Sequence, residues 1–164
     1  MPLQALFPPR DGTAPGPAAL EVRELTPLPG AANARLLLRR GEIVGMGGLE
    51  GQGQREIIRA LAGALPPVSC DIVRHDREGR VQPFDPRHGV EQVVRHGVGL
   101  VPEDRKLEGL YLELPIADNI RLGLLRGLGL MRRAPRERGV IEQMAQQLQL
   151  RSRDLVQPVG DLSG

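Results

Sequence analysis

The sequence predicts an α/β fold, a strand-rich part followed by a mainly helical one. Three observations predict it. Short apolar or alternating runs recur between turn residues as far as Val101. One apolar run feeds directly into a glycine-rich loop that opens a helix. From Ile116 onward, apolar residues recur at helical rather than strand spacing.

Each element can be justified in order. Residues 1–19 are rich in Pro, Gly and Ala and read as a linker or arm. Leu20 to Leu25 (LEVREL) alternates apolar and charged residues, as a half-buried strand does. TPLPGAAN turns the chain, and Arg35 to Arg40 supplies a second strand. Beyond Gly41 the run Glu42 to Met46 (EIVGM) reads as a buried strand leading into the glycine loop. Ile57, Ile58, Leu61 and Ala62 then recur at helical spacing, and Gly63 is a natural stop. Cys70 to Arg74 predicts a strand, Asp76 to Gly79 a turn, and a further strand lies around Val81. Pro86 to Arg95 reads as a helix with Val90, Val93 and Val94 on one face, ended by His96–Gly97. Val98 to Val101 is expected to be another short buried strand, and PEDRKLEG a polar loop. Ile116, Ile120, Leu124 and Leu125 mark the next helix. Pro135 suits the first position of the last one, whose core face is Ile141, Met144, Ala145 and Leu148. Asp118 and Asn119 read as a local cap or pair, and the Arg126 to Arg138 cluster as a solvated face.

Composition narrows the function classes. The 164 residues allow one domain with its own core, and apolar and charged shares of 40% and 26% are ordinary for a soluble protein. Aromatics make up only 2%, so few side chains are available to stack on a base. A net charge of +2 gives nucleic-acid binding little support. Cys70 is the sole cysteine and reads as strand filler, which points to a reducing compartment. His75, His88 and His96 have no ligand spacing with it, so no metal site is expected. No apolar run approaches the roughly 20 residues that span a bilayer, so any membrane link is expected to go through a partner.

The chemistry lies in GGLEGQGQRE, Gly47 to Glu56. A strand entering a glycine loop that opens a helix is the recipe for an anion site, because loop N–H groups and the helix dipole converge there. The phosphate-loop template is G-x-x-x-x-G-K-[ST]. Gly48 and Gly53 keep its spacing, with Leu49, Glu50, Gly51 and Gln52 between them. Gln54, however, stands at the lysine position and Arg55 at that of the magnesium-binding hydroxyl. Glutamine offers a neutral donor in place of a charge, and a guanidinium cannot ligate a cation. The loop therefore reads as able to hold phosphate through its backbone but poorly equipped for hydrolysis. A dinucleotide loop, G-x-G-x-x-G, fails at both registers: Gly45 and Gly47 are followed by Glu50, and Gly51 and Gly53 by Glu56. Taken alone, the loop leaves three readings open: a phosphate-loop descendant, a dinucleotide loop, or a glycine turn without a ligand.

Four stretches in this order, GEIVGMGGLEGQGQREIIRALAG, GVGLVPEDRKLEGL, LPIADNI and the terminal VGDLSG, resemble the ATPase subunits of bacterial ABC importers for monosaccharides such as ribose, xylose and galactose. That family carries two tandem nucleotide-binding domains, and GLVPEDRK behind a degenerate loop is similar to the second. The resemblance covers Leu20 to Gly164. It implies an ABC-type P-loop fold, with residues 20–110 as part of the ATP-binding core and 111–164 as the helical subdomain. It also implies a linker before it, and hence an internal piece of a longer protein.

Carried over by position, Gly48 to Arg55 would be the phosphate loop. Glu103 would stand where most ABC ATPases have a glutamine contacting Mg²⁺ and the membrane domain. Leu162, Ser163 and Gly164 would begin the LSGG signature that contacts nucleotide on the opposing domain. The implied cofactor is ATP, with Mg²⁺ in intact family members, although this loop lacks the hydroxyl ligand. The implied partners are sugar permease subunits through the Glu103 to Leu110 loop, the first nucleotide-binding domain and, indirectly, a periplasmic sugar-binding protein. The implied place is the inner face of the plasma membrane. TPLPGAANA carries no aromatic residue for adenine. Two other functional readings stand beside this one: a non-catalytic binding or regulatory module, and a dinucleotide-dependent oxidoreductase that the glycine register disfavours.

Overall fold

The computed structural model describes residues 14–128, 134–150, 152 and 154–162, and the chain divides after Leu100 into two compact units. The first unit is built on a four-stranded antiparallel sheet of order β2-β1-β3-β4. Its strands are β1 (Ala18–Thr26), β2 (Ala34–Arg39), β3 (Ser69–His75) and β4 (Val81–Pro83).

β1 carries most of the core: Leu20, Val22 and Leu25 are all buried. Strict two-residue alternation cannot put all three on one face, because Leu25 is three residues beyond Val22. The register shifts between Val22 and Glu24 against β3, and between Val22 and Leu25 against β2. This bulge turns Leu25 inward and leaves Arg23 in solvent. Asn33 Oδ1 accepts from the Leu25 N–H at 3.2 Å, and Ser69 Oγ donates to Glu24 Oε1 at 2.6 Å. Ile72, Phe84, Ala60 and Val93 complete the cluster, with Leu36, Leu38, Ile57, Leu61, Cys70 and Val98 packed around it.

Helix α1 (Gln54–Leu61) seats Ala60 in that cluster and ends at Gly63, whose φ is +71°. A side chain there would be both strained and crowded, since a Cβ would lie 2.8 Å from the Gly89 carbonyl carbon. The helix expected over Pro86 to Arg95 is interrupted. A 3₁₀ turn at Pro86–His88 precedes α2 (Val90–Arg95), with Gly89 at φ +88° between them. Only Val93 of the three valines is buried, and Val90 and Val94 face solvent. Asp85 caps the turn by accepting from the Arg87 N–H at 2.9 Å, and the Arg87 guanidinium holds its carboxyl down at about 2. Cys70 Sγ lies 3.6 Å from Asp85 Oδ1, and burial pushes the thiol up. The turn at Asp76 forms as expected, its carboxylate accepting from the N–H groups of Glu78 and Arg80.

Two expected strands do not form. Glu42 to Met46 has no strand pairing among the described residues, and Ile43 is 99% exposed. Val98 to Val101 is likewise irregular, with Val98 on the core cluster and Val101 at 92% exposure. The physical reason is common to both. An apolar run supplies the tendency to be buried, but a strand exists only where neighbours take its backbone hydrogen bonds. The sheet's strands pair with one another and not with these runs.

The second unit holds a single π-helical turn (Arg105–Gly109) and the helices α3 (Ile116–Leu128) and α4 (Ala134–Gln147). Pro135 thus falls in the first turn of α4, where a missing N–H is tolerated. Asp104 caps the π-helical turn, accepting from the N–H groups of Lys106 at 3.0 Å and Leu107 at 3.1 Å. Ile116 and Ile141 are buried, whereas Met144 and Leu148, expected in the core, are exposed. The covered face of α4, which packs against α3, is narrower than its apolar pattern. The side chains of Leu124 and Leu125, and most of the Arg126 to Arg138 cluster, lie outside the described residues. Arg138 pairs with Glu142 at 3.1 Å.

Candidate functional site

The glycine loop is positioned by α1. Gly51 and Gly53 both sit in the left-handed region, at φ +80° and +96°, which is why glycine occupies both positions. Between Leu49 and Gln52 the chain makes a tight turn, the Gln52 N–H donating to the Leu49 carbonyl at 3.2 Å. Gly53 is the N-cap of α1 and supplies no side-chain cap, so the helix opens with its N–H groups uncapped by any side chain. Gly45, Met46, Gly47, Gly48, Leu49, Gln52, Gln54 and Ile57 line an open bowl of about 660 Å³.

Backbone donors, the positive end of a helix and a wide mouth suit a phosphate held by main-chain groups. The charges around the loop are mixed. Glu50 lies within it and Glu56 in the first turn of α1, against Arg55 beside it and Arg59 in the last turn. Gln54 turns back across the bowl, its Nε2 donating to the Leu49 carbonyl at 3.4 Å. Arg55 stands exposed on the first turn of α1, and a guanidinium there provides no hard oxygen for magnesium.

The remaining expected site residues belong to the second unit. Glu103 is exposed, just ahead of the capped π-helical turn. Leu162 is half-buried, and Ser163 and Gly164 lie outside the described residues. Backbone pairing brings the two separated motifs of this unit together. The N–H groups of Ile116 and Ala117 donate to the carbonyls of Gln157 and Leu155, and those of Val159 and Gly160 donate back to Leu114 and Leu112. LPIADNI and the described part of the terminal motif, Val159 to Leu162, are thus adjacent in space. Together with the π-helical turn they enclose a largely apolar cavity of about 450 Å³, lined among others by Arg105, Lys106, Ile116, Ile120, Val159 and Leu162.

Asn119 reads in the sequence as a local cap or pair, and the structure bears that out while adding a longer-range bond that organises this junction. The Asn119 side chain accepts from the Tyr111 N–H at 2.8 Å. Its amide donates to the carbonyls of Tyr111, Leu114 and Pro115 at 3.0, 3.3 and 3.2 Å. Local spacing announces a cap one turn away, not a bond to a residue eight positions back. Reading the sequence missed Asp154: its carboxylate accepts from Val156 and Gln157, a short-range Asx turn that the sequence could have signalled.

Comparison with known proteins gives relatives along nearly the whole chain. It is 35% identical over 164 residues to the ribose import ATP-binding protein RbsA 1 of Mesorhizobium japonicum, covering 97% of this chain and 31% of that protein. It is 32% identical to the ribose import ATP-binding protein RbsA of Corynebacterium glutamicum, covering 95% of this chain and 29% of that protein. Identity to the arabinose import ATP-binding protein AraG 2 of Burkholderia thailandensis is 38%, over 92% of this chain and 28% of that protein. No family model and no solved structure matches it. The chain spans about a third of the length of the curated relatives it matches. Over the stretch it spans, the chain is similar to the ATP-binding proteins of ribose and arabinose importers.

Proposed function

We propose that this chain is the degenerate second nucleotide-binding domain of a monosaccharide importer's ATPase subunit, partial over the stretch it spans, and that it binds ATP without turning it over by itself. The observation that carries the reading is the loop ahead of α1: two left-handed glycines and an open bowl beside a helix N-terminus, with Gln54 and Arg55 at the two positions that carry chemistry. In this reading Gly48, Leu49, Glu50, Gly51, Gln52, Gly53, Gln54 and Arg55 surround the phosphates, and the main-chain N–H groups are the donors. ATP would supply the energy for uptake at a complete site, and this loop would contribute binding alone. Residues 20–110 form part of the ATP-binding core in a P-loop arrangement, and 111–164 the helical subdomain.

Glu103 and the following turn to Leu110 are the surface for the sugar permease, a reading supported by their exposure and by the capped turn that fixes them. Leu162, Ser163 and Gly164 match in sequence the start of the signature that would contact nucleotide on the partner domain, the first nucleotide-binding domain of the importer. The periplasmic binding protein acts only through the permease. No described helix is long and apolar enough to cross a membrane, in keeping with a peripheral place on the inner face of the plasma membrane.

The test is titration of the full chain with ATP, with binding and phosphate release followed together. The expected outcome is saturable binding with phosphate release at the background rate. Release that rises with protein concentration and disappears in Arg55→Ala overturns the non-catalytic assignment. Absence of binding at millimolar ATP leaves the second reading, an interaction module without nucleotide, which the Gln54 amide lying within the bowl favours.

A further inference from the structure

The side chain of Gln54 does more than vacate the lysine position. Its Nε2 donates to the Leu49 carbonyl at 3.4 Å, which joins the first residue of α1 to the far wall of the loop. The same nitrogen lies against the α-carbon of Gly48: a Cβ built there would be 1.8 Å from Nε2 and 3.0 Å from Cδ. Gly48 has an ordinary φ, so its backbone does not demand glycine. A side chain there would only displace the flexible end of Gln54 from its place against Gly48. The amide therefore lies within the bowl whose lining includes Gly48, Leu49 and Gln54 itself.

We infer that Gln54 is a clasp that closes the loop on itself, with Gly48 as its slot, so that an anion entering the bowl must displace the amide from Leu49. The inference rests on the reading of this loop as a nucleotide-phosphate site and adds a gate to it. A lysine at position 54 would bring attraction along with its bulk. A neutral amide offers weak attraction and occupies the same space, while Glu50 and Glu56 add negative charge nearby. The clasp thus sets the affinity of the loop for polyphosphate as an opposing term, not as a ligand contact.

Two measurements on the full chain test this. In the absence of nucleotide, NMR should show a nuclear Overhauser effect from the Gln54 side-chain amide protons to the Gly48 α-protons, and none in Gln54→Asn, which is one methylene too short to reach. Its absence from the parent chain overturns the clasp whatever the nucleotide does. Titration with ATP should then show Gln54→Ala and Gln54→Asn binding about fivefold more tightly than the parent, the fold-change that corresponds to one neutral hydrogen bond. Weaker binding by both variants makes Gln54 a ligand donor and overturns the gate, as does unchanged affinity. If the amide contact is seen but neither parent nor variants bind ATP, the nucleotide reading of the loop fails. The gate falls with it, and the clasp remains only as a brace of the turn.

Discussion

Asn119 concentrates more of the second unit's order than any residue singled out for chemistry. One side chain satisfies the Tyr111 N–H and three carbonyls between Tyr111 and Pro115. These groups flank the backbone that pairs with Leu155 to Gly160, so the amide fixes the frame on which the terminal motif rests. Asn119→Ala removes one acceptor and a shared donor at once, leaving several main-chain groups without that partner. We expect destabilisation of the second unit by about 2 kcal/mol, read as faster amide exchange from 111–117 and 155–160. Asn119→Asp should keep the bond from Tyr111 but set a carboxylate oxygen against the three carbonyls, giving a loss at least as large as that of Asn119→Ala. Exchange unchanged in Asn119→Ala would show that backbone pairing alone holds the junction.

At the scale of elements, the contrast between LEVREL and EIVGM is instructive. Both runs announce strands in the sequence, and only the first becomes one. LEVREL has neighbours on both sides, and its broken alternation is accommodated by a bulge that keeps Leu20, Val22 and Leu25 inside. EIVGM is unpaired among the described residues, and Ile43 is 99% exposed. A side chain so exposed carries little folding energy. Ile43→Glu is therefore expected to change stability by no more than about 0.5 kcal/mol, measured by denaturant titration of this chain. A loss of several times that size would mean that the run is buried in solution. The α1 signals were legible because they are local: an apolar repeat, spaced glycines ahead of it and a glycine stop. The break at Gly89 within the expected Pro86 to Arg95 helix was not, because the apolar repeat runs straight across it.

At the scale of the molecule, the first unit depends on a small core. Leu20, Val22, Leu25, Ala60, Ile72, Phe84 and Val93 form one buried cluster, with Leu25 completely inaccessible. Leu25→Ala removes a buried side chain from its centre and should cost about 3 kcal/mol. A chain of this size has only several kcal/mol of net stability to lose. The measurement is the midpoint of chemical unfolding followed by a probe in the β-sheet, and a shift equivalent to less than 1 kcal/mol would show that Leu25 lies outside the cooperative core. The α/β class, β1 to β4, α1 and the helical second part were all readable from periodicity and turn residues. The unpaired fates of Glu42–Met46 and Val98–Val101 were not, and neither was the exposure of Met144 and Leu148.

The division between what each level decides follows from the range of the forces involved. The sequence by itself determined the loop's composition: glycines at the spacing of the phosphate-loop template, and an amide and a guanidinium where that template has an ammonium and a hydroxyl. Those properties are local to a few adjacent residues. Only the tertiary structure decided which apolar runs became strands, that Gln54 folds onto Gly48, and that LPIADNI shares a hydrogen-bonded junction with Leu155 to Gly160. Each of these needs a partner elsewhere on the chain, and hydrogen bonding and close packing are satisfied only when that partner arrives.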